Sequence, residues 1–381
     1  MTAALCLSGC GEQPEPRAPR GSLTVYLSAP AHGPAARAGR AVLAGARRAL
    51  RDSDGSAGER RIRLVALSAN RRGDADWDPG TVEANARRAA DDPRAVAYIG
   101  EVDGGGSAVS LPRTNQAGLL QVSPADGLTS LTRPAPGRPR AGPARYYPSE
   151  RRTFLRMVPS DLVVSRAMVA LARPVRGRRI ALVQTADFAQ RELGAALAAD
   201  LRRVGSPPVA GIALSDSADT VPGALDELAE ARPDAILVAG RPGPVATAVL
   251  RGVGRRLPSA ALVGSPGLTG ERLPLAPNAL AATAVLPSPA QPPRGRRVLS
   301  RLGKDTPPQA LYGYDAMRLV LDAVGSEGAS RRAVVRSALQ PRLARGITGP
   351  FRVLRGGDVA RSRLAVVSLT DGRAVPRSPE R

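Results

Sequence analysis

Residues 95–124 read AVAYIGEVDGGGSAVSLPRTNQAGLLQVSP, and this stretch decides the fold. The apolar run 95–100 has the length of a buried strand, the glycines at 104–106 break it, and a second apolar run begins at Leu119. This order predicts a strand, a turn, a helix and a second strand of a parallel sheet. The turn would lie at the carboxyl end of its strand, where backbone N–H groups and the helix terminus can bind a carboxylate or a phosphate. A purely steric need for glycine is the alternative.

The same alternation of short apolar runs and amphipathic segments continues along most of the chain. Each predicted strand is a continuous apolar run of about six residues, which is typical of a parallel sheet covered on both faces. Two such series predict two doubly wound lobes rather than one barrel. The predicted strands are 23–28, 62–68, 95–100, 119–123, 179–184, 209–215, 235–240 and 260–265. The predicted helices are 35–51, 81–91 with Thr81 as N-cap, 188–204, 222–231, 245–256 and 309–324. Residues 347–354 and 363–369 are predicted to pair as a hairpin around Gly356 and Gly357.

The composition fits this α/β class and argues against a nucleic-acid partner. The chain has 381 residues, enough for two domains, and its 43% hydrophobic but only 3% aromatic content predicts cores of small aliphatic side chains. Its 55 basic and 33 acidic residues give a net charge of +22. The arginines are spread over every segment, Lys304 is the only lysine, and no nucleic-acid-binding motif occurs. We therefore expect no binding to nucleic acid.

Both cysteines lie near the start of the sequence. Leu7, Ser8, Gly9 and Cys10 have the pattern of a lipoprotein signal box, and the polar, Pro-rich residues 11–16 suit a tether. Few residues precede this box and none of them is basic, so an unprocessed tail with two free thiols is the alternative. We expect lipidation at Cys10, with residues 1–21 as a signal remnant and tether.

Five stretches together resemble the type I periplasmic binding proteins of the leucine/isoleucine/valine-binding kind, the solute receptors of ABC importers. The resemblance runs from residue 22 to about 369 and rests on the order and spacing of the stretches. They are 30–39 (PAHGPAARAG), 95–132 with SPADGLTSLT, 179–193 (RIALVQTADFAQREL), 233–240 (PDAILVAG) and 312–354, which ends in ITGPFRVL.

The resemblance implies two lobes joined by a three-crossover hinge, with a ligand in the cleft between them. Residues 22–153 and 283–348 would form the first lobe, and 154–282 and 349–375 the second. The crossovers would fall at 153–157, 282–287 and 349–352, and residues 133–152 would form a Pro- and Arg-rich surface loop. The implied function is that of an extracytoplasmic solute-binding protein of an ABC importer. A lipid anchor would hold it at the cell membrane, where ABC permease subunits would be its partners.

The resemblance also implies which residues of the first lobe contact the ligand. The serine that binds the ligand carboxylate in the family corresponds to Gly104, and the threonine three positions later to Ser107. The backbone donors of this turn, Gly105 included, would still hold an anion. The threonine after the Ser/Thr-Pro-Ala motif corresponds to Gly127, which follows Ala125 and Asp126. Helix capping by Ser107 and a turn role for Asp126 are the alternatives.

In the second lobe the resemblance implies ligand contacts at Phe188 and Arg241. Phe188 would supply the aromatic contact, and Arg241 replaces the tyrosine after the strand that ends at Gly240. Pro266 replaces the glutamate that pairs with an α-ammonium group, so a small polar or anionic solute, amino-acid-like or a carboxylate, suits the cleft. The alternatives are core packing for Phe188 and surface exposure for Arg241.

Catalysis and cofactor binding find no support in the sequence. His32 is the only histidine, and its expected place is a solvated loop, which argues against a Ser-His-Asp triad and against most histidine metal sites. The glycine spacing at 104–106 does not match a dinucleotide-binding fingerprint. We expect no enzyme activity, no metal and no cofactor. A receptor-like sensing or regulatory module on the same fold, not coupled to transport, is the alternative function.

Overall fold

A computed structural model gives the structure of the chain. It describes residues 21–74, 76–137, 142–172, 179–241, 243–269, 279–283, 291–361, 364–370 and 373–377. The predicted signal box with Cys10 lies outside the described residues, as does most of the predicted crossover at 282–287. No helix of the described part is long and apolar enough to cross a membrane.

The first lobe is built on a six-stranded sheet with the order β2-β3-β1-β4-β5-β6. Its strands are β1 (Leu23–Ala29), β2 (Ser56–Ala57), β3 (Arg60–Ser68), β4 (Ala95–Ile99), β5 (Leu120–Ser123) and β6 (Phe154–Arg156). All neighbours are parallel except the short β2 at the edge. The strand order reverses at β1, which lies between β3 and β4, so the carboxyl ends of β1 and β4 flank the topological switch point of the sheet.

Helices cover both faces of this sheet, and β1 and β4 are accordingly buried along their whole length. The helices of this lobe are α1 (Ala36–Arg51), α2 (Pro79–Asp91), α3 (Ser107–Gln116), α8 (Pro293–Leu302), α9 (Gln309–Glu327) and α10 (Arg331–Leu339). On one face Val42 of α1, Val320 of α9 and Val334 of α10 share a core with β1 and β4. The long helix predicted at 309–324 therefore returns to the first lobe, as expected.

The second lobe is built on a seven-stranded sheet with the order β16-β15-β11-β10-β9-β7-β8. Its strands are β7 (Ile180–Gln184), β8 (Ala210–Ala213), β9 (Ala235–Ala239), β10 (Ala261–Gly264), β11 (Ala279–Thr283), β15 (Ala365–Thr370) and β16 (Arg373–Pro376). Its helices are α4 (Asp161–Ala172), α5 (Phe188–Arg203), α6 (Val221–Ala231) and α7 (Pro244–Arg256). Helices α4 and α5 cover one face and α6 and α7 the other. The predicted fold class, two doubly wound parallel-sheet lobes, is confirmed.

Along the described chain the strands change sheet three times. They do so after β6, after β11, and between β14 (Val359–Arg361) and β15. The third change corrects the prediction, because a small antiparallel sheet of β12 (Arg342–Gly346), β13 (Gly349–Val353) and β14 precedes it. Phe351 and Val353 of this sheet pack in the first-lobe core. Residues 349–361 therefore lie with the first lobe, whereas the prediction placed them in the second.

Three further expectations are corrected by local packing. Strand β15 pairs with β11, so 347–354 and 363–369 do not form a hairpin with each other. The N-cap of α2 is Asp78, whose carboxylate accepts the Thr81 N–H at 2.8 Å. The loop predicted at 133–152 is not wholly on the surface: Tyr146 and Tyr147 are buried, and Tyr147 Oη donates to the carbonyl of Leu131.

Candidate functional site

The turn after β4 faces the second lobe, as the sequence predicts. A Cβ placed on Gly104 would lie 3.3 Å from the Cβ of Ala189 at the start of α5. A Cβ on Gly105, which has φ +93°, would lie 3.6 Å from the Trp77 ring and 3.8 Å from the Phe188 ring. The turn therefore lies between the loop after β3, which carries Trp77, and the second lobe. This is the crevice outside the carboxyl ends of the strands, where ligands bind in open α/β sheets.

The backbone donors of the turn are already occupied by a side chain of the same lobe. The N–H of Gly105 donates to both carboxylate oxygens of Asp126 at 3.2 Å, and the N–H of Ser107 donates to Oδ2 at 3.0 Å. The N–H of Leu128 donates to Oδ1 at 3.0 Å. Asp126 is fully buried. The expectation that these N–H groups stand open to an external anion is therefore corrected: an internal carboxylate fills that place.

Ser107 does not cap its helix, which was the alternative to its predicted contact with the solute. Helix α3 has no side-chain cap bond, and Ser107 Oγ instead accepts the N–H of Glu101 at 3.1 Å. Ser107 is fully buried, and its hydroxyl holds the backbone at Glu101, where the turn begins. Contact between Ser107 and a solute stays a prediction.

The predicted residues on either side of Asp126, Ala125 and Gly127, are partly buried and form hydrogen bonds within the protein. Ala125 is partly buried, and its N–H donates to Ser123 Oγ at 3.3 Å. Gly127 packs against the start of α4: its carbonyl accepts the Asp161 N–H at 2.7 Å, and a Cβ on Gly127 would lie 2.3 Å from Asp161 Oδ1. The glycine at 127 is therefore required by close packing between the lobes. Its contact with a solute stays a prediction.

Arg241 bridges the two lobes. It follows β9 in the second lobe, and its Nη1 pairs with Asp76 from the loop after β3 in the first lobe. Its Nε lies 3.8 Å from Oδ2 of Asp187, the residue whose carboxylate caps α5 through the Gln190 N–H. The Arg241 side chain is 27% exposed, so it is not the fully exposed surface arginine of the alternative. Its guanidinium already lies beside two carboxylates, those of Asp76 and Asp187.

Asp103 adds a carboxyl group with a shielded oxygen to this place. Its Oδ2 is shielded from solvent and has no hydrogen-bond partner among the described residues. Burial, and after it the nearby Asp76 carboxylate, raises the pKa of Asp103 well above its usual range, while Arg241 acts in the opposite direction. The carboxyl groups of Asp76, Asp103 and Asp187 thus lie near Arg241 at the switch point, although the whole chain is strongly basic.

Phe188 closes one side of the cleft. Its partly buried ring packs with Leu111 and Leu128 of the first lobe and with Ala189 of its own helix. The guanidinium of Arg145 lies 5.6 Å from its ring centroid. Phe188 therefore does take part in apolar packing, as the alternative holds, but this cluster contains residues of both lobes.

Several residues of this cleft escaped the sequence reasoning. The loop after β3 carries Asp76 and Trp77, the turn itself carries Asp103, and Asp187 precedes α5. The only tryptophan of the chain lies in the polar stretch DWDPG, in the segment that links the predicted strand 62–68 to the predicted helix 81–91. That position, at the carboxyl end of a strand, is the signal that could have identified it.

Metal binding and histidine chemistry find no support in the described residues. They contain no group of His, Cys, Asp and Glu side chains that could hold a metal ion. His32 lies in the loop after β1, where its carbonyl accepts from Asn70 Nδ2 at 2.9 Å. The site offers shape, acidic charge and aromatic faces, which are means of binding a small molecule.

The comparisons with known proteins agree with this fold. A family model described as a periplasmic binding protein matches residues 23–373. A solute-binding protein from R. palustris in complex with benzoate is 18% identical, with a TM-score of 0.75 over 93% of this chain and 95% of that one. A leucine-binding protein from Thermotoga maritima is 18% identical, with a TM-score of 0.74 over 93% and 98%. A second R. palustris solute-binding protein, in complex with 4-hydroxybenzoate, is 13% identical, with a TM-score of 0.76 over 94% and 96%. The comparison with curated proteins gives no match.

Proposed function

The chain belongs to the periplasmic binding protein family, and on that premise we propose that it is the solute-binding component of an ABC importer. A small polar solute would bind in the cleft between the lobes. The observation that carries this proposal is the position of the Gly104–Gly106 turn, at the switch point of the first sheet and against Phe188 and Ala189 of the second lobe. Closure of two lobes around a solute would then signal occupancy to the permease.

The proposed ligand contacts are the predicted residues, with those that the cleft adds. Gly104, Gly105, Phe188 and Arg241 lie where the two lobes meet and would contact the solute directly, together with Trp77. Ser107, Ala125, Asp126 and Gly127 lie behind this surface and would shape it. The structural neighbours bind leucine, benzoate and 4-hydroxybenzoate, as their descriptions state. These compounds are the first probes for this chain. We propose that the chain binds its solute and does not convert it.

Ligand-dependent stabilisation tests this proposal. Thermal unfolding of the purified protein is followed with amino acids, aromatic and aliphatic carboxylates, the corresponding amides and amines, and short peptides. A solute at about 100 times its dissociation constant adds about 2.7 kcal/mol to the free energy of unfolding. A well-folded protein that responds to no member of this set contradicts the proposal.

We also propose that the protein acts outside the cytoplasm and is held at the membrane by lipid on Cys10. The family and the Leu7–Cys10 pattern support this location. Mass spectrometry of the mature protein would show a diacylglyceryl group on Cys10, and Cys10→Ser would release the protein from the membrane fraction. Retention of the serine variant in that fraction would contradict the anchor.

A sensing or regulatory module is a second candidate, favoured by one observation. Arg241 and Asp76 join the lobes through the protein's own charges, so closure does not depend on a solute alone. Co-purification with permease and ATPase subunits would support transport, whereas co-purification with a kinase or another regulator in their place would support sensing.

A further inference from the structure

We infer that Asp126 determines the specificity of the cleft: its carboxylate fills the place where a solute carboxylate would bind, so the cleft takes a neutral or cationic solute without a carboxylate. This inference rests on the proposed function, because it names the class of solute for the same cleft.

The first step of the argument is the geometry around the Asp126 carboxylate. Three backbone N–H groups, those of Gly105, Ser107 and Leu128, donate to it at 3.0 to 3.2 Å. Two of these groups belong to the turn before α3, where the backbone and the helix terminus favour a negative charge. An ionised acceptor makes such hydrogen bonds strong. These N–H groups include the backbone donors that the family resemblance implies for a solute carboxylate.

The second step is that Asp126 is held in this place by its own backbone. Its N–H donates to Ser123 Oγ at 2.8 Å, and its carbonyl accepts from Arg156 Nη1 at 3.1 Å. Arg156 is 0% exposed. A solute that displaced the carboxylate would have to move a fully buried acidic group away from its hydrogen-bond donors, which is costly.

The third step is the charge of the remaining cleft. Asp76 and Asp187 approach Arg241 from opposite lobes, and the shielded Oδ2 of Asp103 has no donor among the described residues. A carboxylate-bearing solute would add another negative charge beside the carboxylates of Asp76 and Asp187. A donor group on a neutral or cationic solute would instead satisfy them, and the rings of Trp77 and Phe188 could pack against its apolar part.

Matched pairs of compounds test the inference on the unmodified protein. Each pair differs by the carboxylate: leucine and 3-methylbutylamine, arginine and agmatine, benzoate and benzamide. We expect the member without the carboxylate to raise the thermal midpoint more in each pair to which the protein responds. A larger rise with the carboxylate member overturns the inference and leaves the proposed function standing. If no member of any pair binds, the proposed function fails for these compounds and the next measurement decides the inference alone.

The second measurement removes the internal carboxylate and supplies an external one. In Asp126→Ala the three N–H groups lose their acceptor and leave space for acetate, whereas in Asp126→Asn the amide fills that space. We expect acetate, compared with chloride at equal ionic strength, to raise the midpoint of the alanine variant by about 2–4 °C at roughly ten times its dissociation constant. The unmodified protein and the asparagine variant should show no such rise.

An equal response to acetate in all three proteins overturns the inference. If the alanine variant does not fold in chloride, the yield of folded protein after refolding in acetate and in chloride is compared instead. A higher yield in acetate, confined to the alanine variant, supports an anion place that Asp126 normally fills. Equal yields in the two salts overturn it.

Discussion

Glu101 lies fully buried behind the turn, where it receives hydrogen bonds from Tyr98 Oη at 2.7 Å and from Ser28 Oγ at 2.8 Å. Burial raises the pKa of its carboxyl to about 7, although these two hydrogen bonds act in the opposite direction. A Cβ on Gly106 would lie 2.8 Å from the Glu101 Cβ. Glu101 therefore explains why one of the three glycines is needed, and it brings a titrating group next to the cleft.

The raised pKa of Glu101 makes stability depend on pH in a definite direction. The folded protein keeps the proton up to about pH 7, whereas the unfolded chain releases it near the ordinary value of 4.5. The contribution is complete below pH 4.5 and is lost as the pH rises towards and through 7. We expect Glu101→Gln to match the wild type near pH 4.5 and to exceed its free energy of unfolding by about 3 kcal/mol at pH 8. Urea unfolding at both pH values measures this, and a difference that does not change with pH would refute it.

Arg156 is a fully buried cation at the passage from β6 towards the second lobe. Its Nε lies 3.1 Å from Asp358 Oδ1, and its Nη2 donates to Thr132 Oγ1 at 2.9 Å. Arg133 pairs with the same aspartate from an exposed position. The two arginines thus share one buried acceptor but differ in how much solvent surrounds them.

Replacing each arginine by methionine separates these two environments. Arg156→Met should lower the free energy of unfolding by about 3–5 kcal/mol, because it removes the buried partner of a buried carboxylate. Arg133→Met, the matched control, should cost about 1 kcal/mol or less, because its guanidinium is half exposed. Chemical denaturation of both variants measures the costs. Equal costs would show that burial of Arg156 has no energetic weight.

At the level of elements, two helices from distant parts of the sequence touch at their backbones. A Cβ on Gly45 of α1 would lie 1.8 Å from the carbonyl oxygen of Ala310 in α9. A Cβ on Gly313 of α9 would lie 2.1 Å from the carbonyl oxygen of Val42 in α1. This close approach fastens the segment that returns from the second lobe onto the first helix.

Alanine substitution of these glycines should separate the helices. Gly45→Ala and Gly313→Ala should each cost about 1–3 kcal/mol or more, because the added methyl group meets backbone rather than a movable side chain. Gly223→Ala is the control: Gly223 lies in α6 with nothing within 4 Å of its added Cβ. That change should stabilise by about 0.5–1 kcal/mol through helix propensity. A similar effect at all three positions would contradict the close approach.

At the level of the whole molecule, the ion pair between Arg241 and Asp76 holds the lobes together across the cleft. Both side chains are 27% exposed, so the pair is only partly shielded from salt. The packing of Phe188 and Ala189 against Leu111 and Leu128 acts in the same direction. The closed arrangement therefore has both a polar and an apolar component.

Arg241→Gln should shift the population towards open lobes when no solute is added, because the polar component is lost. Small-angle X-ray scattering should show a larger radius of gyration for this variant than for the wild type. Arg256→Gln is the matched control, because Arg256 pairs with Asp226 inside the second lobe. The idea fails if Arg241→Gln scatters as the wild type does, or if both variants expand equally.

The sequence by itself determined the two lobes, because two series of continuous apolar runs such as 95–99 and 235–239, alternating with amphipathic segments, are typical of parallel sheets covered on both faces. It also determined that the glycine-rich turn faces a cleft, since the turn follows a strand at its carboxyl end. The pairing of β15 with β11 was decided only by tertiary structure, because local pattern does not specify which strand edge is left open. The same holds for the occupant of the turn. Asp126 is 19 residues from Ser107 along the chain, and only the adjacency of β4 and β5 in the sheet brings its carboxylate to those N–H groups.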